Sequence, residues 1–322
     1  MSRTITAVDL FAGAGGSSTG LAQLCAERDW RLKLTAINHW DVAVATHAAN
    51  HPTANHICAS LESLEPTKVH QGPLDLLWAS PACTHHSNAR GGKPLSDQSR
   101  ASAWHVVHWA EQLRPAGIVV ENVPEFEHWG PLDANGLRIR SKRGETFRAW
   151  RESLESLGYA VDYRVLNAAD YGEAQSRRRL FVQAKRGRAA WPLPTHARRW
   201  RAASEVLDVS LPWRSIRGLC QRTLDRIEVG VRRFGRGSDF LVQYYGSSTV
   251  ASVHDPLPTV TTHDRFGLVS GNHFRMLHPR ELSAAMGFPY SYCFKGTKAQ
   301  WVKQVGNAVS VRTAKALCAE VL

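Results

Sequence analysis

Four short stretches of this 322-residue chain carry side chains fit for catalysis or ligand binding. In "ASPACTHHSNARGGKP" (79–94), Cys83 follows a proline at the end of an apolar run and precedes a polar, glycine-containing stretch. A cysteine that only packs needs apolar neighbours. A nucleophilic thiolate needs an exposed perch and a cover that closes over it. In "VVENVPEF" (119–126), Glu121 and Asn122 fall where a buried strand should end. Partial desolvation there raises a carboxyl pKa and lets it donate a proton, although a loop or helix-capping carboxylate fits the stretch equally well. In "AQSRRRLF" (174–181), Arg177 and Arg179 share one face of an extended segment, with Arg178 opposite. Two guanidiniums leading into a buried strand require anionic or carbonyl partners, unless the strand is a basic surface one. In "DLFAGAGG" (9–16), a strand runs into Gly13, Gly15 and Gly16, which let a ligand approach the backbone closely or simply make a tight turn. The spacing is not GxGxxG and no P-loop lysine follows, which favours a nucleoside-bearing cofactor other than a dinucleotide.

The elements that must hold these residues alternate. "TITAVDLF" and "LKLTAI" read as strands, separated by a helix from about Ser17 to Glu27; "DVAVATHAAN" is a helix with Asp41 as its N-cap. "LDLLWA" and "AGIVVEN" are buried strands on either side of a helix over about Arg100–Leu113. "GETFRAWRESLESLG" is an amphipathic helix closed by Gly158, and "YAVDYRVLN" and "RRLFVQA" are the last strands. This alternation predicts an α/β fold with a doubly wound, mostly parallel, Rossmann-like sheet. After Ala184 the character changes to "KRGRAAWPLPTHARRWR", which sets a second, smaller domain over 186–299; the first covers 1–185 and is completed by 300–322. The closing "GNAVSVRTAKALCAEVL" reads as a helix packing back on the first domain.

Composition narrows the classes. No run of about 18 apolar residues is present, the N-terminus lacks a signal peptide, and six scattered cysteines form no CxxC pair. A cytoplasmic protein without a metal site or disulfide framework is expected. The net charge is +12, and residues 186–236 carry twelve arginines against four acidic residues. Arginine forks match phosphates and guanine edges, so a polyanionic partner is favoured over a merely solvated basic face.

In their order along the chain these stretches resemble the C5-cytosine-specific DNA methyltransferase family. The glycine turn is similar to its cofactor loop, "SPAC" to its Pro-Cys motif, "ENV" to its glutamate motif and "QSRRR" to its Gln-x-Arg-x-Arg motif. "HPRELSAAMGFP" (278–289) and "QVGNAV" (304–309) are similar to its last two motifs. The resemblance implies methyl transfer from S-adenosylmethionine to a cytosine flipped out of double-stranded DNA. It implies that Cys83 adds to C6, Glu121 works at N3, Arg179 holds O2 and Arg177 orders the site backbone or a phosphate. Residues 84–98 then form the closing cover, with His85, His86, Ser87, Arg90 and Lys93 facing nucleic acid, the two histidines being equally well solvated loop residues. Thr259, Thr261 and Thr262 lie where the family's threonine loop meets the flipped nucleotide. For the cofactor it implies Asp9, Phe11, Ala12, Gly13, Gly15, Gly16, His39, Trp40, Ser60, Pro81, Asn307 and Val309, with Phe11 and Trp40 sandwiching the adenine.

The sequence departs from the family pattern in places. His39 stands where an acidic residue usually meets the ribose, and Ser60 where one usually meets the adenine amine; Asp41 is placed to compensate. Ala82 and Thr84 replace the usual proline and glutamine around the cysteine. Residues 186–275 correspond to the variable target-recognition region, in which "RRWRAASEVLD" and "TLDRIEVGVRRFGRG" suggest short helices, and Trp200 and Trp213 are expected to pack that lobe rather than stack on bases. A bacterial or phage modification enzyme of the restriction–modification kind, acting as a monomer, is the leading reading. An RNA methyltransferase of similar chemistry, a catalytically silent DNA-binding protein, and an enzyme using a modified S-adenosylmethionine are its competitors.

Overall fold

The computed structural model describes residues 2–82, 101–187, 190–245 and 249–322. Cys83, His85, His86, Ser87, Arg90 and Lys93, and with them the expected cover over 84–98, lie outside the described residues. Contacts divide the chain into two compact units: 1–167 with 178–193 and 313–322, and 168–177 with 194–312. Residues 300–312, grouped with the first domain on sequence, thus count with the second unit by contacts.

The first unit is built on seven strands: β1 (Thr4–Leu10), β2 (Arg31–Asn38), β3 (Asn55–Cys58), β4 (Leu76–Ala79), β5 (Gly117–Asn122), β6 (Ala160–Asn167) and β7 (Arg178–Lys185). Their order in the sheet is β3-β2-β1-β4-β5-β7-β6. The first five are mutually parallel, and β7 runs antiparallel between β5 and β6. β4 and β5 are buried at every position, as central parallel strands covered on both faces should be. β6, at the edge, has no fully buried residue. Helices α1 (Gly16–Glu27), α2 (Asp41–Asn50), the single turn α3 (Pro66–Val69), α4 (Trp104–Leu113) and α5 (Glu145–Ser156) fill the crossovers. The core on one face of the sheet gathers Val8, Leu10, Leu77, Ile118 and Val120 with Trp109, Phe126, Phe147 and Trp150. Truncating either buried tryptophan to alanine removes contacts worth about 3–5 kcal/mol.

The second unit holds α6 (Gln221–Phe234) and an antiparallel sheet made of β8 (Arg214–Ser215), β9 (Phe240–Gln243), β10 (Val250–Ser252), β11 (Phe266–Ser270) and β12 (His273–Met276). α7 (Pro279–Ala285) and α8 (Lys298–Asn307) follow, and their apolar faces share a core with Phe266, Leu268 and Leu277. Both helices open on reciprocal caps, His278 with Glu281 and Thr297 with Gln300.

Local expectations differ from the structure at four places. Asp41 is the first residue inside α2, its Oδ1 accepting from the Val42 N–H at 2.8 Å, and Trp40 takes the cap position. α4 begins at Trp104, after a 3-10 turn over Ala101–Ala103. "RRWRAASEVLD" holds only a 3-10 turn, Ala203–Val206. The closing stretch is not one helix: α8 stops at Asn307, Ala308 is extended, and α9 spans Val311–Val321. The cause of the break is chemical. The Gly306 carbonyl accepts from Arg177 Nη2 at 3.0 Å, so a side chain satisfies a helix-end acceptor that a continuing helix would have used itself.

Candidate functional site

Strand β5 delivers Glu121 and Asn122 to its carboxyl end, the rim at which open α/β sheets bind ligands. Glu121 is 7% exposed and pairs with Arg179 of β7, whose Nε stands 3.2 Å from its Oε1. The strand register explains the meeting, because Glu121 lies opposite Phe181, and Arg179, two residues before Phe181 on β7, falls on the same face at that end. Asn122 has a different task. Its Nδ2 donates to the Pro81 carbonyl at 3.1 Å and its Oδ1 accepts from the Val123 N–H at 2.9 Å. This one amide ties the turn after β5 to the turn after β4, two residues before Cys83.

Arg177 and Arg179 resolve the problem of two buried guanidiniums in two ways. Arg179 takes a carboxylate. Arg177, 3% exposed, takes carbonyls of the second unit, donating to Val260 O at 3.1 Å and Gly306 O at 3.0 Å. Around it, Gln175 Oε1 accepts from the Val260 N–H at 2.6 Å, and the Thr259 hydroxyl donates to the Ser176 carbonyl at 2.9 Å. Thr261 Oγ1 donates to the His263 carbonyl at 3.2 Å. A Cβ placed on Gly306 would lie 2.3 Å from the Thr261 carbonyl and 2.5 Å from the Thr262 nitrogen, so the loop over 259–262 presses directly on the "QVGNAV" segment. Within that segment Asn307 is exposed and Val309 buried.

The glycine turn behind β1 is conformationally demanding. Phe11, Gly13 and Gly15 all have positive φ, at 60°, 54° and 90°. For Phe11 this is a strained conformation costing about 1–3 kcal/mol, of the sort found at ligand sites. Its half-buried ring joins Ile37, Asn38, His39, Ser60, Leu61, Glu62, Ser102 and His105 around one pocket. Phe11, Ile37 and Leu61 give it apolar walls, polar side chains make up most of the rest, and the open space is small, about 50 Å³. Trp40 is not among these walls; its N–H donates to Asn38 Oδ1 at 2.9 Å. Pro81 and Ala12 are buried beside the strand ends, and Gly16 opens α1.

Asp9 is placed differently from the others. It is 2% exposed, and its Oδ2 accepts from the hydroxyls of Ser17 and Ser18, each at 2.6 Å. Burial pushes its pKa up to about 6, against the lowering effect of the two serines. Its side chain therefore ties the glycine turn to α1 from beneath.

Sequence reasoning missed Glu62, Ser102 and His105 as walls of this pocket. Glu62 Oε2 accepts from Ser60 Oγ at 2.6 Å, and His105 Nε2 lies 3.6 Å from Glu62 Oε1. The Ser60 hydroxyl, then His105, hold the exposed Glu62 carboxyl below its usual range. The signal was present two residues past Ser60, in "CASLES". Trp200 and Trp213 both engage their own unit: Trp200 Nε1 donates to Asp170 Oδ1 at 2.8 Å, and the Arg275 guanidinium sits 5.0 Å over the Trp213 ring. No described helix is long and apolar enough to cross a membrane, and no group of three or more described His, Cys, Asp or Glu is disposed to hold a metal ion.

Residues 5–212 and 227–322 match the model of the family described as C-5 cytosine-specific DNA methylase. The type II methyltransferase M.AgeI of Thalassovita gelatinovora is 31% identical over 198 residues, 59% of this chain and 42% of its own length. The type II methyltransferase M.BsuFI of Bacillus subtilis is 26% identical over 330 residues, 97% of this chain and 71% of its own. The chain thus spans less than half of the first relative and nearly three quarters of the second. Among solved structures, a mutant of Spodoptera frugiperda DNMT2 superposes with a TM-score of 0.69 at 16% identity, covering 98% of this chain and 99% of that one. The S. pombe Dnmt2 methyltransferase gives 0.67 at 15%, covering 99% and 98%.

Proposed function

The chain belongs to the C-5 cytosine-specific DNA methylase family, and on that premise we propose that it methylates carbon 5 of cytosine in double-stranded DNA. The observation that carries this reading is the Glu121–Arg179 pair at the end of β5. Cytosine presents N3 and O2 side by side on one edge. A carboxyl and a guanidinium 3.2 Å apart can meet both, the carboxyl hydrogen-bonding at the first and the fork of donors at the second.

Carbon 6 of cytosine is a poor electrophile, and the roles follow from that. Cys83 adds as thiolate to C6, breaking the C5=C6 π bond, while Glu121 hydrogen-bonds N3 as it takes up a proton and Arg179 stabilises charge on O2. Once C5 carries the methyl group, loss of the C5 proton expels the Cys83 thiolate and restores the ring. Arg177 keeps the 259–262 loop and the Gly306 end of α8 in register. Asn122, through the Pro81 carbonyl, fixes the turn from which Cys83 departs. Such an attack requires the base to leave the stack, and Thr259, Thr261 and Thr262, with Ser87, Arg90 and Lys93, are the proposed contacts to the strand.

The residues around Phe11 fit S-adenosylmethionine, which when bound supplies the methyl group as a sulfonium. Phe11, Ile37 and Leu61 would hold the adenine, with His39, Ser60 and Glu62 at its polar rim and Trp40 beside it. Asp9, Ala12, Gly13, Gly15, Gly16 and Pro81 would shape the turn beneath it, and Asn307 and Val309 would serve its methionine end. Residues 186–299 act in this reading as the target-recognition domain, and the free-thiol composition suits action on DNA in the cytoplasm.

The test is covalent trapping on duplex DNA carrying 5-fluorocytosine, beside methyl-transfer assays on DNA and on tRNA. The parent should trap and should label DNA, while Cys83→Ala should do neither. A Cys83→Ala protein that traps like the parent, or a parent that labels only tRNA, would end the reading.

A further inference from the structure

The described residues hold a second basic feature, outside the arginine-rich 186–236 region. After Glu121 and Asn122 the chain passes through a 3-10 turn, Pro124–His128, and loops back through a second one, Arg140–Lys142. The loop is closed by a bridge between Leu132 and Arg138 and by Asp133 Oδ1, which accepts from the N–H groups of Asn135 and Leu137 at 2.9 Å each. Its two ends are pressed together at Gly130, where a Cβ would stand 2.1 Å from the Lys142 carbonyl. Between the turns lies an open cavity of about 610 Å³.

The lining is cationic. Arg138, Arg140, Arg143 and His128 line the cavity, with Glu125 the one carboxylate among its described lining residues. Arg143 donates to His128 Nε2, so a guanidinium here is partnered by an imidazole rather than a carboxylate. All three arginines are exposed. Guanidinium forks around one cavity match the tetrahedral oxygens of a phosphate. The cavity also begins two residues after Asn122, on the rim of the sheet that carries Glu121.

We infer that this cavity binds a backbone phosphate of the DNA strand whose cytosine Glu121 receives, giving the first unit a strand-positioning site of its own. The inference rests on the DNA-methylating reading above. A phosphate contact adds no base information; it fixes register and makes affinity salt-dependent.

The experiment is equilibrium binding of the full chain to a duplex over a series of salt concentrations, with S-adenosylhomocysteine present. For Arg140→Ala the slope of log affinity against log salt should become shallower by about 0.9, and for Arg140→Ala/Arg143→Ala by about 1.8. Arg140→Lys should keep the parent slope. Arg28→Ala, which removes a guanidinium stacked on Trp30, should leave it unchanged. Unaltered S-adenosylhomocysteine binding by Arg140→Ala shows that the exposed substitution has not disturbed the fold. A parent that methylates DNA while Arg140→Ala keeps the parent slope overturns this inference alone. An equal change in Arg28→Ala overturns it too, because the effect would then belong to general surface charge. A parent that fails to methylate DNA overturns the reading beneath it.

Discussion

The Nε2 atom of His47 lies 2.9 Å from the Oγ of Ser18, joining α2 to the first turn of α1 under the glycine loop. The direction of this bond can be deduced. Ser18 gives its proton to Asp9 Oδ2 at 2.6 Å, so its oxygen must accept from His47. His47 therefore carries its proton on Nε2, and its Nδ1 accepts from His56 Nε2 at 2.9 Å. Each donor points inward, from half-buried His56 through His47 and Ser18 to Asp9. Beside this chain, Thr19 gives its proton to the Gly15 carbonyl at 2.6 Å and receives one from His51 at 3.1 Å.

Such a wire reaches the glycine turn, which the proposed function gives to the cofactor, through Ser18 and Asp9. Replacing His47 with alanine leaves the Ser18 oxygen buried without its donor, at a cost of about 1–3 kcal/mol. Part of that should appear as a looser glycine turn. The expected result is S-adenosylhomocysteine binding weakened about tenfold by calorimetry, with kcat at saturating cofactor near the parent value. His47→Gln, which retains a donor, should recover part of the affinity. Equal affinity in His47→Ala and the parent would remove His47 from this role.

The same cluster sets a pH dependence of stability. Burial, with the neighbouring His51 and His56 adding to it, lowers the His47 pKa to about 3; burial and then His56 lower that of His51 to about 4. Both imidazoles are neutral when folded, and the unfolded chain takes up their protons below about 6.5. Their contribution is thus present above about 6.5 and is lost as the pH falls toward 4 and 3. Asp9 has the opposite sign. Burial raises its pKa from the usual 3.8 to about 6, so its contribution is present below about 3.8 and lost as pH rises through 6. Two histidines outweigh one aspartate, and urea midpoints should fall as the pH drops from 6.5 to 4. In His47→Gln the fall should be shallower; an equally steep fall would show that the titrating groups lie elsewhere.

Much of the fold and part of the site could be read in the sequence, for reasons visible in particular residues. The runs "LDLLWA" and "AGIVVEN" announced central parallel strands because their middles, Leu76–Ala79 and Gly117–Val120, are continuously apolar. Arg177 and Arg179 announced partners because a buried guanidinium cannot do without one. What could not be read were the identities of those partners, set by contacts remote in sequence: Glu121 for one, the carbonyls of Val260 and Gly306 for the other. The break at Ala308 was hidden for the same reason, since local propensity runs through it and only Arg177 ends the helix. Glu62 escaped because Ser60, not Glu62, fills the position the family pattern marks.

The two arginines should therefore separate when mutated. Arg177→Met leaves two buried carbonyls without their charged donor, and about 3 kcal/mol of stability should be lost. Arg179→Met leaves Glu121 without its ion-pair partner at the reacting edge. It should keep cofactor binding and lower kcat by about a hundredfold or more. Denaturation midpoints and single-turnover rates would separate the two cases. Equal destabilisation with equal rate loss would mean that both residues serve packing alone.

In the cofactor site proposed around Phe11, Glu62 would supply the negative charge that the replacement of an acidic residue by Ser60 removes from its usual place. The Ser60 hydroxyl donates to the Glu62 carboxylate, which orients it without neutralising it, and His105 stands on its other side. A carboxylate so placed accepts from the exocyclic amine of adenine and repels the carbonyl that inosine carries in its stead. Because the group is exposed, water screens it, and it contributes less than a buried pair would. Glu62→Ala should weaken S-adenosylhomocysteine several-fold at most, as a screened contact allows, while leaving the inosyl analogue unchanged or slightly improved. The ratio of the two dissociation constants is the informative quantity, since a general loosening of the pocket would weaken both analogues alike. Were both weakened equally, Glu62 would be a pocket wall and not the reader of the amine, and the departure at Ser60 would stand uncompensated.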